Sequence, residues 1–275
     1  MNFKLIAEKV WKRLNSWSTR FSSNAGKDVL IKAVIQAIPT YAMGCFIIPA
    51  AILKDIEKAI RCFWWKGSEK IRWVNWNIMA GSKRNGGMGL RNLTAFNHAM
   101  LAKQGWRLMQ NPDSLLSRSL KAKYFPFASF QEANLGNNPS LTWRSILKGR
   151  ETLLKGGIWR IANGDSIRIR EDIWHPSINL SSQHLDSLQE RGITRASQLL
   201  REGRSWNFTL LRSILGNQLA QQISSIPTRR SGSDVIAWSG TKDNDFTVRS
   251  AYYVALDCLH LDTVSNIHPL FWSLI

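Results

Sequence analysis

The sequence predicts a mainly α fold, a helical bundle over residues 1–125, followed by a mixed α+β region with short β-hairpins over residues 126–275. Two observations favour this division. Apolar residues recur every three or four positions through the first half, which is the helical period. After residue 155 the pattern changes to short apolar runs separated by turn residues. Pro126, Gly136 and Pro139 mark the transition, and 275 residues fit about two domains.

The first three helices are predicted from apolar periodicity and from the positions of proline. The apolar face of the first helix comprises Phe3, Ile6, Val10, Leu14 and Trp17. A second helix over Val29–Ala37 should stop before Pro39, since proline disfavours helical geometry in the residue that precedes it. Pro49 opens a third helix. Its apolar face comprises Ile52, Ile56, Ile60 and Phe63, and its other face carries Lys54, Lys58 and Arg61.

The middle of the chain alternates turns with further helices. Lys70–Trp76 is rich in Ile, Val and Trp, which predicts a strand or an extended arm. Lys83–Gly89 is a glycine-rich basic turn. A long helix over Leu93–Gln110 follows, and additional helices are predicted after Ser114 and after Ser140.

Two β-hairpins are predicted in the second half. Ile158–Ala162 and Ser166–Arg170 flank Asn163–Gly164, a dipeptide that accepts the positive φ of a tight hairpin turn. Val235–Ser239 and Phe246–Val248 flank a polar loop and suggest the second hairpin. Short helices are predicted after Arg195 and after Asn207.

The charge of the chain points to a polyanionic partner. Lys and Arg number 37 against 19 Asp and Glu, a net charge of +18. Residues 1–130 hold 21 of these cations against 6 acids, a net charge of +15, which leaves +3 for the remainder. Such asymmetry indicates a nucleic-acid or membrane surface in the basic half. The apolar run Ala33–Leu53 is interrupted by Pro39 and Pro49, so buried helices explain it better than a membrane span.

Motifs of common enzymes and metal sites are missing from the sequence. GxSxG, HExxH and CxxC do not occur, and the three cysteines and five histidines are scattered. We therefore expect no catalytic residue, no metal site and no cofactor. Glu171 and Asp172 are the one adjacent acidic pair, and the nearby Arg168 and Arg170 favour a surface ion-pair role for them.

Two segments combine the residue types that bind nucleic acids. Phe63, Trp64 and Trp65 stand close to several cations, as in surfaces on which bases stack. Burial of Phe63 and of one neighbouring Trp is the alternative, because Phe63 continues the apolar face of its helix. Around the glycine turn, Lys83, Arg84 and Arg91 could contact phosphates. A solvated basic turn explains those residues equally well.

A series of short strings along the chain resembles one protein family. The strings are Ala25–Lys32, Ala37–Met43, Phe63–Trp65, Gly86–Arg91, Phe96–Leu108, Ser114–Arg118, Lys121–Pro126, Pro139–Ile146, Trp159–Asp165, Trp206 and Phe246–Tyr252. In this order they resemble plant LINE-type non-LTR retrotransposon reverse transcriptases. The matching region is the thumb and the linker upstream of the zinc-binding and ribonuclease H domains.

The resemblance implies that residues 1–125 are a helical thumb that grips the template and primer backbone. It also implies that the YxDD acids of the polymerase would precede Met1, and that the zinc-binding and ribonuclease H parts would follow Ile275. By itself the chain is then not expected to be an enzyme. Target-primed insertion in this family suggests the nucleus, although the sequence contains no discrete localisation signal.

The resulting prediction is a non-catalytic nucleic-acid-binding fragment of a reverse transcriptase that grips RNA–DNA hybrid or duplex through phosphates, without sequence specificity. The candidate contacts are Lys27, Lys32, Lys54, Lys58, Arg61, Lys83, Arg84, Arg91, Lys103, Arg107, Lys121 and Lys123. The alternative is an inert or co-opted retroelement remnant whose apolar surfaces pair with the palm of the polymerase or with another chain.

Overall fold

The computed structural model describes residues 2–17, 23–65, 76–83, 86–172, 178, 180–229 and 231–259. Helices dominate these residues and are accompanied by one two-stranded sheet, which confirms the mainly α fold class. The chain forms two compact units. The first contains the residues up to Leu153 and those from Val248 onward, and the second contains Leu154–Thr247. The predicted division into one domain over residues 1–125 and another over residues 126–275 stays a prediction.

The first unit is helical. Its helices are α1 (Lys4–Trp17), α2 (Asn24–Ala33), α3 (Thr40–Met43), α4 (Ala50–Trp64), α5 (Trp76–Ala80), α6 (Leu93–Gln110), α7 (Leu115–Tyr124), α8 (Leu141–Gly156, which ends in the second unit) and α11 (Val248–Cys258). The helices expected at the start of the chain, after Pro49 and over Leu93–Gln110 are thus confirmed. The predicted arm over Lys70–Trp76 lies outside the described residues, apart from Trp76, which begins α5.

Local sequence sets where these helices begin. The side-chain oxygens of Ser23, Asn92 and Ser114 each accept the backbone N–H of the residue three positions later. Such caps satisfy one of the N–H groups that a helix leaves without a partner in its first turn. Pro49 precedes α4, where its fixed φ is compatible with a helix start and its missing N–H costs no helical hydrogen bond.

The core of the first unit joins α1, α2 and α4 through apolar side chains, with Val10, Ile31, Ile56 and Ile60 fully buried. Asn97 on α6 is also fully buried. Its amide oxygen accepts the backbone N–H of Ile48 at 2.8 Å, and its Nδ2 donates to the carbonyl oxygens of Met43 and Phe46, each at 2.9 Å. This side chain therefore satisfies the backbone between α3 and α4 inside the core, where unpaired groups would be costly.

The described residues of the second unit form the end of α8, a 3₁₀ segment over Ala196–Leu199, two further helices and the sheet. These helices and strands are α9 (Ser182–Glu190), α10 (Phe208–Ser224), β1 (Gly157–Arg160) and β2 (Val235–Trp238). A second hydrophobic core lies here, in which Ile167, Leu199, Leu211 and Ile223 are fully buried. The helices predicted after Arg195 and after Asn207 are present as the 3₁₀ segment Ala196–Leu199 and as α10, in which Gly216 interrupts the helical geometry.

The strands do not pair as the sequence predicts. Gly157 of β1 lies opposite Trp238 of β2, and Arg160 lies opposite Val235, in antiparallel register. A short two-stranded sheet therefore exists, but the hairpin around Asn163–Gly164 and the one between Val235–Ser239 and Phe246–Val248 were wrong. Period and turn residues mark strands locally, but they do not say which strand is the partner.

Asp234 explains the conformation of the Asn163–Gly164 turn. Its carboxylate is buried, and Oδ1 accepts the N–H groups of Ala162 at 2.7 Å and Gly164 at 2.9 Å. Oδ2 accepts the N–H of Ser166 at 3.0 Å. Gly164 does adopt a positive φ of 75°. The loop thus wraps around a carboxylate from a residue about 70 positions away, instead of joining two paired strands.

No helix among the described residues is long and apolar enough to cross a membrane. The run Ala33–Leu53 is divided into the end of α2, a 3₁₀ turn over Ile35–Ala37, the short α3 and the start of α4. This agrees with the expectation that its prolines separate buried helical segments.

Replacing Asp234 by Asn should destabilise the protein by about 1–3 kcal/mol. The amide nitrogen cannot accept a hydrogen bond, so one of the three backbone N–H donors would lose its acceptor. The free energy of unfolding in urea measures this loss. Asp243→Asn, at an exposed position nearby, is the matched control and should change little. Equal stability of the two variants would contradict the role assigned to Asp234.

Candidate nucleic-acid interface

Helix α4 separates an apolar face from a basic face. Ile56, Ile60 and Phe63 are buried, whereas Lys54 and Lys58 are exposed and Arg61 is half-buried. Lys54, Lys58 and Arg61 are spaced by four and then three residues, so they form one row along the helix, which we call the α4 basic row. A row of cations on a rigid helix suits the regularly spaced phosphates of a nucleic acid.

Helix α2 contributes less than the sequence predicts. Lys27 is 7% exposed, its Nζ donates to the carbonyl oxygen of Trp64 at 3.0 Å, and burial lowers its pKa. The structure therefore corrects the expectation that this ammonium faces a phosphate, because it is held inside the unit. Lys32 is half-buried and lies 2.6 Å from Asp28 one turn earlier, so its charge is already compensated.

Further candidate cations lie on α6 and α7. Lys103 and Arg107 are exposed and occupy neighbouring turns of α6. Lys121 and Lys123 are exposed in the last turn of α7, and the Lys123 Nζ lies 5.2 Å from the centre of the Tyr124 ring. Each of these four charges is accessible to a partner in solution.

The Trp-rich segment at the end of α4 is mostly interior. Phe63 and Trp65 are buried, and Trp64 is half-buried. The prediction that Phe63 and one neighbouring Trp belong to the core is confirmed. Base stacking on this segment is therefore not supported by its exposure.

The glycine turn folds back tightly on the end of α5. The N–H of Gly87 donates to the carbonyl oxygen of Ser82 at 2.9 Å, and that of Gly89 donates to Gly81 at 2.8 Å. A Cβ on Gly87 would lie 2.1 Å from the Gly81 oxygen, and Gly89 has a φ of 68°. These glycines permit a close backbone approach. Lys83 is exposed beside the turn, and Arg84 lies outside the described residues.

A cavity of about 930 Å³ lies within the first unit, between the glycine turn, the start of α6 and α11. The cations along it are Lys83, Arg91 and Arg249, and the aromatic rings are Phe96, Tyr252 and Tyr253. No carboxylate is among the described residues that line it. We call this cavity the cationic cleft.

Several contacts position the groups of the cationic cleft. The Arg91 guanidinium lies 4.8 Å from the centre of the Phe96 ring, a cation–π geometry. The Tyr252 hydroxyl accepts the backbone N–H of Asn92 at 2.9 Å, which fixes α11 to the first residue before α6. Tyr253, 61% exposed, meets the Tyr252 ring edge-on at 5.5 Å between centres.

The sequence-predicted residues Lys83 and Arg91 thus come together, but their partners were missed. Arg249, Tyr252 and Tyr253 lie about 160 positions further along the chain. The apolar period of α11 predicts a helix and gives no information on which turn it packs against. The sequence feature that covers this region is the string Phe246–Tyr252. It indicates the family resemblance and does not by itself predict a binding site.

The acidic pair Glu171 and Asp172 in the second unit has a structural role. Arg168 Nε lies 3.6 Å from Glu171 and 3.8 Å from Asp172, which confirms the predicted ion pairing. Asp172 also accepts the N–H of Arg168 at 2.7 Å, and burial raises its pKa. In the part of the chain that the structure describes, no three His, Cys, Asp or Glu side chains are grouped to hold a metal ion.

Comparison with known proteins gives two plant relatives. No protein-family profile matches the chain. Over 143 residues, 50% of this chain and 93% of the relative, it is 42% identical to the "Uncharacterized mitochondrial protein AtMg00310" of Arabidopsis thaliana. Over 261 residues, 91% of this chain, it is 29% identical to the "Putative ribonuclease H protein At1g65750" of the same plant. The chain spans 42% of the length of this second relative.

Glu57 lies beside the α4 basic row, one turn after Lys54 and one turn before Arg61. Burial raises its pKa to about 7, although both cations and the Trp76 indole act in the opposite direction. The folded protein therefore takes up a proton at Glu57 at pH values where the unfolded chain has already lost it. The stability that the neutral Glu57 side chain gives the folded protein is therefore lost as pH rises from about 4.5 to about 7.

Glu57→Gln should therefore stabilise the protein by about 2–3 kcal/mol at pH 8, where the wild-type carboxylate is charged, and by much less at pH 5. Thermal unfolding of both proteins at the two pH values measures the difference. Asp55→Asn, at an exposed position of the same helix, is the matched control and should change the stability little. The same stabilisation by Glu57→Gln at both pH values would refute the raised pKa.

Proposed function

We propose that this chain, which belongs to the same family as the Arabidopsis mitochondrial protein, is a nucleic-acid-binding segment of a plant retroelement-derived protein. In finer terms, it acts as the thumb and linker of a LINE-type reverse transcriptase. It holds the backbone of a template–primer duplex through Lys and Arg, without reading the base sequence.

The observation that carries this proposal is the arrangement of charge on the first unit. The α4 basic row lies opposite a fully apolar face of the same helix, so the cations are held on a rigid support. Lys103, Arg107, Lys121 and Lys123 add exposed charge on α6 and α7. The first 130 residues carry +15, which is more than solubility alone requires. Phosphates are the abundant biological polyanions that such a surface attracts.

The second relative supports the retroelement part of the proposal. Its name describes a putative ribonuclease H protein, and the chain aligns with it over 91% of the chain's own length. A relative with this name agrees with nucleic acid as the partner of the chain. We therefore propose that this segment holds nucleic acid without a catalytic centre of its own.

Binding through phosphates predicts a specific salt response. Affinity of the chain for an RNA–DNA hybrid should fall steeply with salt, and Lys54→Ala combined with Lys58→Ala should reduce the log–log slope by about 2. Fluorescence anisotropy of a labelled hybrid from low to moderate salt gives both values. Two hybrids of unrelated sequence should bind equally well.

The matched control removes two exposed cations from the second unit, Arg212→Ala with Lys242→Ala, so the net charge changes by the same amount. This control should leave the slope of the wild type nearly unchanged. An equal loss in both double variants would mean that net charge, and not the α4 basic row, governs binding. DNA synthesis by the same preparation in a primer-extension assay would contradict the non-catalytic role.

One observation favours the alternative of a protein-interaction module. Leu115 and Phe127 project large apolar side chains almost fully into solvent on the first unit. Exposed apolar side chains of this size are common where another chain docks. If the purified chain associates with itself and does not bind the hybrid, this alternative becomes the better account.

A further inference from the structure

We propose that the cationic cleft binds a short unpaired stretch of nucleic acid, so that the chain prefers a duplex with a single-stranded extension over a blunt duplex. This inference rests on the proposed function and adds a second kind of site to it. The α4 basic row would hold the duplex backbone. The cleft would hold bases that have left the duplex, with Tyr253 as the stacking face.

The size of the cleft fits this ligand. Its volume of about 930 Å³ is at the upper end of the range of roughly 300–1,000 Å³ that small-molecule sites occupy. A site of this volume has room for a stretch of nucleotides, whereas a double helix could present only its edge. On this side the cleft is lined by Gly81, Ser82 and Gly89, whose side chains are small or absent, together with Lys83.

The charges of the cleft are complementary to phosphate. Lys83 and Arg91 line it from the two sides of the glycine turn, and Arg249 lines it from α11. Among the described residues none of the three is within ion-pair distance of a carboxylate, so their charge is available to a ligand. Guanidinium groups bind phosphate oxygens through two parallel hydrogen bonds, which adds geometric selectivity to the attraction.

The aromatic rings supply the second requirement. Tyr252 is fixed by its hydrogen bond with the Asn92 N–H, and Tyr253 meets it edge-on, which leaves the Tyr253 ring widely exposed. Base stacking on an exposed aromatic ring is tolerant of sequence, and it requires bases that are not enclosed in a duplex. A cleft that combines cations with such a ring is therefore selective for single strands.

The inference can be tested with two labelled RNA–DNA hybrids of the same duplex, one blunt and one with a short single-stranded extension. The wild type should bind the extended hybrid about 5-fold to 100-fold more tightly, which corresponds to the range known for stacking one base. Tyr253→Ala should abolish this preference and leave the affinity for the blunt hybrid unchanged. Tyr253→Phe should retain the preference, because stacking does not need the hydroxyl.

Tyr41→Ala is the matched control, since Tyr41 is an equally large aromatic residue that is 85% exposed on α3. It should keep the preference for the extension. Equal binding of both hybrids by the wild type would overturn the inference and leave the proposed function standing. Equal weakening of both hybrids by Tyr253→Ala would also overturn it, since this would indicate a general backbone contact. Failure of the wild type to bind either hybrid would refute the inference together with the proposed function.

Discussion

The burial of helix α6 is the constraint on which the first unit depends. Its buried residues lie on more than one face, and α3, α4, α7 and α11 all pack against it. Gly149 of α8 approaches so closely that a Cβ there would lie 2.4 Å from the Ala102 nitrogen. Because neighbouring helices cover most of α6, its exposed cations are confined to Lys103 and Arg107, and the other candidate contacts lie outside this helix. The same packing holds α11 beside the glycine turn and thereby creates the cationic cleft.

Lys27 and Glu57 are among the ionisable groups that depart from this separation of apolar interior and basic exterior. Lys27 is buried with its Nζ on the Trp64 carbonyl, and Glu57 is largely buried among the cations of α4. Lys27 ties α2 to the end of α4, whereas Glu57 reduces the positive charge of the α4 basic row when it is ionised. The electrostatic character of this surface is consequently adjustable near neutral pH.

Local sequence patterns predict the helices but not their assembly. The apolar period predicted α1 and α4, since a helix must bury one face whatever its neighbour is. The pairing of β1 with β2, the burial of Lys27 and the three groups that α11 brings to the cleft depend on contacts between distant segments. No local pattern encodes such contacts, because propensity and period act over a few residues. The cations Lys83 and Arg91 were identified from their position beside the glycine turn, whereas their partners in the cleft required the structure.

The central claim is that nucleic acid lies on the basic surface of the first unit, and lysine footprinting tests it most directly. The chain is acetylated with and without excess RNA–DNA hybrid, and the modified lysines are quantified by mass spectrometry. The account predicts strong protection of Lys54 and Lys58, no protection of the exposed Lys242 of the second unit, and low reactivity of the buried Lys27 in both states. Protection of Lys242 equal to that of Lys54 and Lys58, or protection at neither position, would contradict it.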